Sequence, residues 1–368
     1  MLLSYPGFFI SNFIIASGLS TLEVAANPFI ALAGPSHLSE ARLNFAQGIQ
    51  AVGSVLSPIL AKRVLFTNLS RQSLFNVQWC YLAVALVVVA LAVVFYYAPL
   101  SEAPDDELEA QAQQALLDVG LEAEASLVVF GLHVTARNAL LTVGAVGMFI
   151  YVGAQETISY FWGTTSTFLK PTMDSFWVQA IAHSVFALGR FLGSATCYIG
   201  VPPRFVLLFC IAGAFVTSLL ALTLPPGSGA IGMFILITFF ESAIFPTLFA
   251  ITMRHQGART KLTSTILVTA VSGGGVLPVV AYGADQAHRR DMRYSLVVVV
   301  ALYGVSLLVP GWLCGGMRKW IDPQRPVRAR RRSEEEGGSG SSESGTSGSD
   351  AKPHTAHVEL RPATSVTV

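Results

Sequence analysis

Residues 18–53 read GLSTLEVAANPFIALAGPSHLSEARLNFAQGIQAVG. Two apolar segments meet here, yet the stretch carries Glu23, Asn27, Asn44, Gln47 and Gln50. Polar and ionisable groups at bilayer depth are costly, so those that occur face a cavity or a partner helix and do a job there. Gly18, Ser20, Ala25, Ala26, Ala31 and Gly34 stand between them. Such small residues let helices approach closely in lipid.

The rest of the chain has the same character. Of its 368 residues, 52% are hydrophobic and 12% charged, and the mean hydropathy is +0.57. A soluble domain carries about 25% charged residues. Apolar runs recur near the length of about 20 residues that crosses a ~30 Å hydrocarbon core. The weak alternation over ~10-residue segments that marks a membrane β-barrel is missing. The fold class is therefore all-α: a polytopic helical membrane protein. Nine spans are expected, at roughly 8–32, 42–62, 74–98, 138–162, 175–199, 204–224, 229–253, 263–285 and 293–316.

Between the third and fourth spans, residues 99–137 hold Glu102, Asp105, Asp106, Glu107, Glu109, Asp118, Glu122 and Glu124. This is a solvated acidic linker whose middle, Glu107 to Leu117, has helical propensity. After Gly316 the chain turns basic and then Ser/Gly/Glu-rich, a composition that cannot bury enough apolar surface to order itself. Arg328–Arg332 follows the last span and argues for a cytoplasmic tail. Counting back puts the linker inside and Met1 outside, with Arg42, Arg204, Arg254, Arg259 and Lys261 inside. The glycosylation sequon Asn68-Leu69-Ser70 then falls outside. The loops with Lys62/Arg63/Arg71 and Arg289/Arg290/Arg293 run against this orientation. The expected organisation is a partial N-terminal bundle (1–98), the linker (99–137), a six-helix bundle (138–316) and a disordered tail (317–368).

Cys80, Cys197, Cys210 and Cys314 lack CxxC pairing and read as small buried residues. There is no basic leader after Met1, so the first apolar segment is expected to stay in the chain. No histidine-rich ligand set, nucleophile elbow or catalytic carboxylate pair occurs, so neither an enzyme nor a cofactor or metal site is expected. Nothing beyond the arginine run suggests nucleic acid. A monomer in the plasma membrane is the expected state.

Several motifs add to this reading. Leu22-Glu23-Val24-Ala25-Ala26-Asn27-Pro28-Phe29 is like LETAANPF, and Arg42-Leu43-Asn44-Phe45-Ala46-Gln47 is like RLNLAQ. Tyr151–Gln155 matches YVGAQ, Gly189-Arg190-Phe191 matches GRF, and Phe245–Phe249 is like YPTIF. Ser272–Val276 with Pro278 is like a GGG…P element. In this order the motifs resemble the fucose–galactose–glucose:proton symporters of the major facilitator superfamily, over residues 8 to 316. The resemblance implies a two-bundle fold and transport of a hexose or deoxyhexose with a proton, by alternating access around a midplane site. It makes the first span here the family's fourth helix, so the first three helices are absent. In the family a fourth-helix carboxylate and a first-helix aspartate take part in coupling. Glu23 matches the former, and nothing here matches the latter. The alternative is a non-transporting truncated product or a membrane sugar sensor.

Glu23 lies mid-span, where a carboxyl that alternates between neutral and charged forms is a natural proton carrier. Gln47 and Gln50 share a helix face, and their carboxamides both donate and accept, which suits sugar hydroxyls. Asn27 precedes Pro28, which is expected to kink or end the helix. Tyr151 and Gln155 are one turn apart and offer substrate a phenol and an amide. Glu156 and Glu241 are further acids at bilayer depth, Glu241 just before an expected break at Phe245-Pro246, and Arg190 suits a conformational gate. Tyr160, Phe161, Trp162, Trp312 and Trp320 read as interfacial aromatics. Gly273–Gly275 reads as close helix packing or a flexing point, since no Lys-Ser/Thr follows to make a phosphate loop.

Overall fold

The computed structural model describes residues 5–60, 62, 75–98, 104–117, 126–129, 132–288, 293–315 and 317–322. The sequon, Arg63, Arg71, Arg289, Arg290, Arg328–Arg332 and the tail beyond residue 322 lie outside these, as do the side chains of Asn76 and Cys80.

Helix covers all nine expected spans among the described residues. Single helices form α1 (Tyr5–Leu32), α2 (Ser39–Leu60) and α3 (Phe75–Tyr97). The linker contributes α4 (Asp105–Leu117) and an antiparallel hairpin of β1 (Ser126–Val129) and β2 (Leu132–Thr135). Then come α5 (Ala136–Leu169), α6 (Ser175–Tyr198) and α7 (Pro203–Thr223). The last three spans are each broken, into α8 (Ser228–Glu241) and α9 (Ile244–Met253), α10 (Thr260–Ala270) and α11 (Gly273–Ala287), and α12 (Arg293–Ser306) and α13 (Leu308–Cys314). A final short helix, α14 (Arg318–Ile321), follows. Six of these stretches among the described residues are long and apolar enough to cross a bilayer. α2, α3 and α6 fall outside that group, and α2 and α6 are the pair that pack together most extensively.

Described residues of Met1–Leu82 and Pro104–Pro323 form one compact unit; α3 passes into a second at Ala83. From Tyr81 to Tyr97, α3 is apolar on every side, as suits a helix surrounded by lipid. In α1, Phe8, Phe9, Ile10, Phe13, Ile14 and Ile15 are all exposed. An apolar surface this extensive marks a membrane-facing wall.

The first unit is held by close approach and polar cross-ties. A Cβ on Gly193 of α6 would lie 2.7 Å from Ala243 and 3.1 Å from Asn44. Hydroxyl and amide side chains link helices to neighbouring backbones and side chains: Ser194 to Ala41 O (2.8 Å), Thr238 to Ala182 O (3.0 Å), Ser264 to Val24 O (2.9 Å) and Asn44 to Thr247 (3.1 Å). In lipid such bonds replace the hydrophobic force that assembles soluble bundles. Arg42 donates to Ala31 O (2.6 Å) and Pro35 O (2.7 Å), placing a cation on the carbonyl end of α1, where the helix dipole favours it.

Two local expectations change. Pro28 does not end α1, which runs four residues further. The break near Phe245-Pro246 falls earlier, at Ser242-Ala243; Pro246 sits in the first turn of α9, where its missing N–H costs nothing. Of the aromatic residues expected at the interface, Tyr160 is exposed, but Phe161, Trp162 and Trp320 are buried. Trp162 packs against Phe234 at 4.6 Å between ring centroids. Cys197, Cys210 and Cys314 are free thiols.

Candidate functional site

The polar residues of the first two helices gather on α6. Asn27 is buried on α1, and its Oδ1 accepts from Gln47 Nε2 of α2 at 3.3 Å. Gln50, one turn beyond, is exposed. Arg190 of α6 donates from Nη1 to the carbonyl of Gln47 at 2.8 Å and from Nε to the carbonyl of Ser242 at 3.2 Å. Its guanidinium lies 4.5 Å from the ring centre of Phe186. Glu23, half-buried on α1, makes no hydrogen bond or ion pair among the described residues, and Arg190 is its electrostatic partner.

Ser242 is the first residue of the α8–α9 break, and the residue before it opens a second cluster. Glu241 is 3% exposed, and its carboxyl accepts from the Tyr303 hydroxyl of α12 and the Gln155 amide of α5. The Tyr151 hydroxyl donates to the backbone carbonyl of Glu241 at 3.1 Å. An interrupted helix leaves carbonyls without internal partners, and here a phenol and a guanidinium take two of them. The fold thus brings Tyr151, Gln155 and Glu241 together, and places Glu23, Asn27, Gln47 and Arg190 in a neighbouring group. Arg190 bonds to Gln47 in its own group and to Ser242, the neighbour of Glu241. Glu156, next to Gln155 on α5, lines a cleft against α11 and is electrostatically within reach of Glu241 and Tyr151.

Tyr303 did not stand out in the sequence. A lone phenol in VVVVALYGVSLL was a signal of the same kind as Glu241 in its own apolar run. The donor set holds no cluster of three or more His, Cys, Asp or Glu that would suit a metal among the described residues. What the site offers is a carboxyl with one cation near it, carboxamides, phenols and a helix break. It can hold a proton and hydrogen-bond a hydroxylated solute.

At the linker end, Glu40 of α2 and Arg254 form a buried fork of two 2.7 Å bonds. Glu109 of α4 accepts from Arg137 Nη1 at 2.9 Å and from the Ala258 N–H at 3.1 Å. Partial burial works against its charged form, but the bonds from Ala258, Arg137 and Gln113 outweigh it and hold the carboxyl below the usual range.

The Major Facilitator Superfamily model matches residues 1–279. The glucose/galactose transporter of Brucella abortus biovar 1 (strain 9-941) is 27% identical over 318 residues, 82% of this chain and 71% of that one. The L-fucose-proton symporter of Escherichia coli (strain K12) is 25% identical over 311 residues, covering 78% and 67%. Among solved structures, the transporter FucP in its outward conformation superposes with a TM-score of 0.67 at 22% identity, over 84% of this chain and 77% of that one. A variant form of the E. coli fucose:proton symporter gives 0.68 at 20% identity, over 84% and 78%. These relatives are transporters and not enzymes, as the absence of catalytic constellations in the sequence suggested. With a family match over three quarters of its length and helices built for lipid, the chain belongs to the Major Facilitator Superfamily and is an integral membrane protein.

Proposed function

We propose that this protein carries a hexose or deoxyhexose of the fucose/galactose/glucose class across the plasma membrane together with a proton. The observation that carries the reading is Arg190, which bonds the backbone of α2 and of the α8–α9 break while facing the Glu23 carboxyl. A change in charge at Glu23 alters the pull on Arg190, and Arg190 holds two elements that must part for the site to change its access. Protonation at one helix is thereby linked to a separation of helices.

In this reading Gln47, Asn27, Tyr151 and Gln155 supply donors and acceptors for sugar hydroxyls, Gln50 stands at the open side, and Glu241 keeps the α5 pair oriented. Residues 1–98 act as one moving part and 138–316 as the other, joined by the cytoplasmic linker 99–137, with 317–368 as a cytoplasmic tail. The named activities of the Brucella and Escherichia relatives support the choice of solute and of proton coupling. The test is uptake of radiolabelled fucose, galactose and glucose into vesicles containing the protein. Accumulation should follow an inward pH gradient, collapse with a protonophore and vanish in Glu23→Gln. Uptake that equilibrates without regard to the gradient would remove the proton from the mechanism; no uptake of any of the three would remove the solute class.

A further inference from the structure

α6 carries a titratable group that the coupling described so far does not use. His183 stands in the run SFWVQAIAHSVFALGR, where Arg190 is the other ionisable residue. It is half-buried and makes no hydrogen bond, ion pair or ring contact among the described residues. An ionisable side chain at bilayer depth is costly, so one without a protein partner belongs beside water and has a job there.

The helix places it away from lipid. Trp177, Ile181, Ser184, Leu188 and Leu192 form the exposed stripe of α6, and at about 100° per residue His183 points roughly 140° from that stripe. To one side of it α6 meets α2, where Ser194 donates to Ala41 O at 2.8 Å. To the other side α6 meets α8, where Thr238 donates to Ala182 O at 3.0 Å. His183 occupies the side between, which it shares with Arg190, only about 20° away round the helix. Arg190 uses that position to reach both Gln47 O of α2 and Ser242 O at the end of α8. Gln179, one turn before His183, continues the row and also lacks a hydrogen-bond partner among the described residues. α2 and α6 run antiparallel, tied at the linker end through Ser194 and at the other end by Lys62 and Asp174 at 3.2 Å. Along α6, His183 is thus about 10 Å from Arg190 and about 14 Å from Asp174 at the far end. The neighbours α2, α5, α7 and α8 carry Glu40, Arg42, Tyr151, Glu156, Arg204 and Glu241 among their charged and titratable groups. None of these, nor Arg190, sets the electrostatic surroundings of His183, which come from burial alone. The ring can change charge without first breaking an ion pair.

We propose that His183 is the relay that brings protons from the end of the protein far from the linker to Glu23. The proposal rests on the proton-coupled reading above. An imidazole accepts a proton from water at one ring nitrogen and gives up the proton on the other, which leaves the ring neutral in its second tautomer. Rotation of the ring restores the first tautomer. Water on the inner side carries the released proton to the Glu23 carboxylate, which becomes neutral and relaxes its pull on Arg190. Only N–H and O–H bonds form and break, and the single charge that moves is the proton's. A histidine two turns from Arg190, on the side of α6 that Arg190 uses to span two helices, stands on the route such a proton would take.

The experiment uses the full chain in proteoliposomes and measures two rates for galactose, fucose and glucose. One is uptake driven by an inward pH gradient; the other is exchange of labelled for unlabelled sugar at equal concentration and pH on both sides, which needs no net delivery of protons. His183→Gln keeps a hydrogen-bonding side chain but cannot carry a proton. It should slow gradient-driven uptake roughly tenfold or more while exchange persists. His183→Ala should show the same loss, and free imidazole in the buffer should restore much of it, with the parent plus imidazole as the control. That rescue is a response that a packing role would not give. Uptake at the parent rate in His183→Gln overturns the relay and leaves the proton-coupled reading intact. Loss of exchange along with uptake, or a loss in His183→Ala that imidazole does not restore, makes His183 a packing residue and also overturns the relay. A parent that accumulates none of the three sugars under the gradient overturns both.

Discussion

Arg254 grips both carboxylate oxygens of Glu40, Nε to Oε1 and Nη2 to Oε2, each at 2.7 Å. The pair is nearly sealed from solvent, with Glu40 2% exposed, and it ties α2 to the end of α9. Removing one partner of a buried, hydrogen-bonded pair leaves the other charge uncompensated, at a cost of about 3–5 kcal/mol. Glu40→Gln should therefore lower the thermal midpoint of the purified protein sharply. The double variant Glu40→Met/Arg254→Leu should recover most of the loss, since well-packed apolar residues can replace a buried pair with little penalty. Equal losses in single and double variants would mean that the pair is held by its surroundings and not the reverse.

Arg190 makes a different demand. Its two backbone bonds and its stacking on Phe186 need a planar fork, which lysine lacks. Arg190→Lys keeps the charge that faces Glu23 but cannot span the carbonyls of Gln47 and Ser242 together. Proton-driven uptake is expected to fall at least tenfold, with sugar affinity changed far less, because the loss lies in the link between helices. An Arg190→Lys protein with normal turnover would leave charge alone as its contribution.

The glycines allow a paired test. Gly193 approaches Ala243 and Asn44, so Gly193→Ala forces α6 away from the α8–α9 break. Overpacking of this kind costs about 1–3 kcal/mol. Gly275→Ala meets nothing within 4 Å and replaces a helical glycine by alanine, a change worth up to ~1 kcal/mol in the helix's favour. Thermal unfolding in one detergent should separate the two in sign.

Much of this arrangement was legible from residue types alone. Spans end where charges, proline and glycine end the apolar runs, and bilayer thickness leaves little freedom in their length. Glu23, Gln47, Gln155 and Glu241 stood out because each is a polar group in an apolar run. What the sequence hid was pairing between distant segments. Glu40 belongs with Arg254, 214 residues away, and no local pattern carries that. The helix break at Ser242-Ala243 was legible only as one a few residues later, at Phe245-Pro246, and the one at Val271-Ser272 only as packing or a flexing point in the glycine row that follows. A tertiary contact lies at each break: Arg190 donates to the Ser242 carbonyl in one, and in the other the Phe149 backbone lies so close that a Cβ on Gly273 would not fit. Trp320 looked like an interfacial aromatic because its burial depends on a partner, His255, in another segment.

At the linker end, Glu109 gives a pH signature. Its carboxyl is held below the usual range when folded, so its contribution is present above the ordinary carboxylate value of about 4.3 and is lost as pH falls through the lower folded value. Hydrogen exchange in α4 at pH 7 should be roughly five- to tenfold faster in Glu109→Gln, the loss of about 1 kcal/mol of hydrogen bonding. The difference between the two proteins should shrink as pH falls through the lowered folded value.

His255 titrates in a separate window. It lies in the turn after α9 with φ at 57°, and its Nε2–H donates to the Trp320 carbonyl at 3.1 Å while the two rings meet edge to face. Burial pushes its imidazole down to about 4, and the neighbouring Arg254 and Arg137 charges push the same way. Unfolded, the group would titrate near 6.5. Between these values the unfolded state binds the extra proton, so stability falls as pH drops from about 6.5 to about 4 and is flat above. The span corresponds to something on the order of 3 kcal/mol. What gives way first should be α14, because its Trp320 carbonyl is the acceptor that His255 holds. Wild type should therefore lose thermal stability and shift its tryptophan emission across this range. The emission shift should disappear in Trp320→Phe, and the pH slope should flatten in His255→Gln, which keeps a donor for the carbonyl but does not titrate. A slope unchanged in His255→Gln would assign the acid sensitivity of this end to the carboxylates instead.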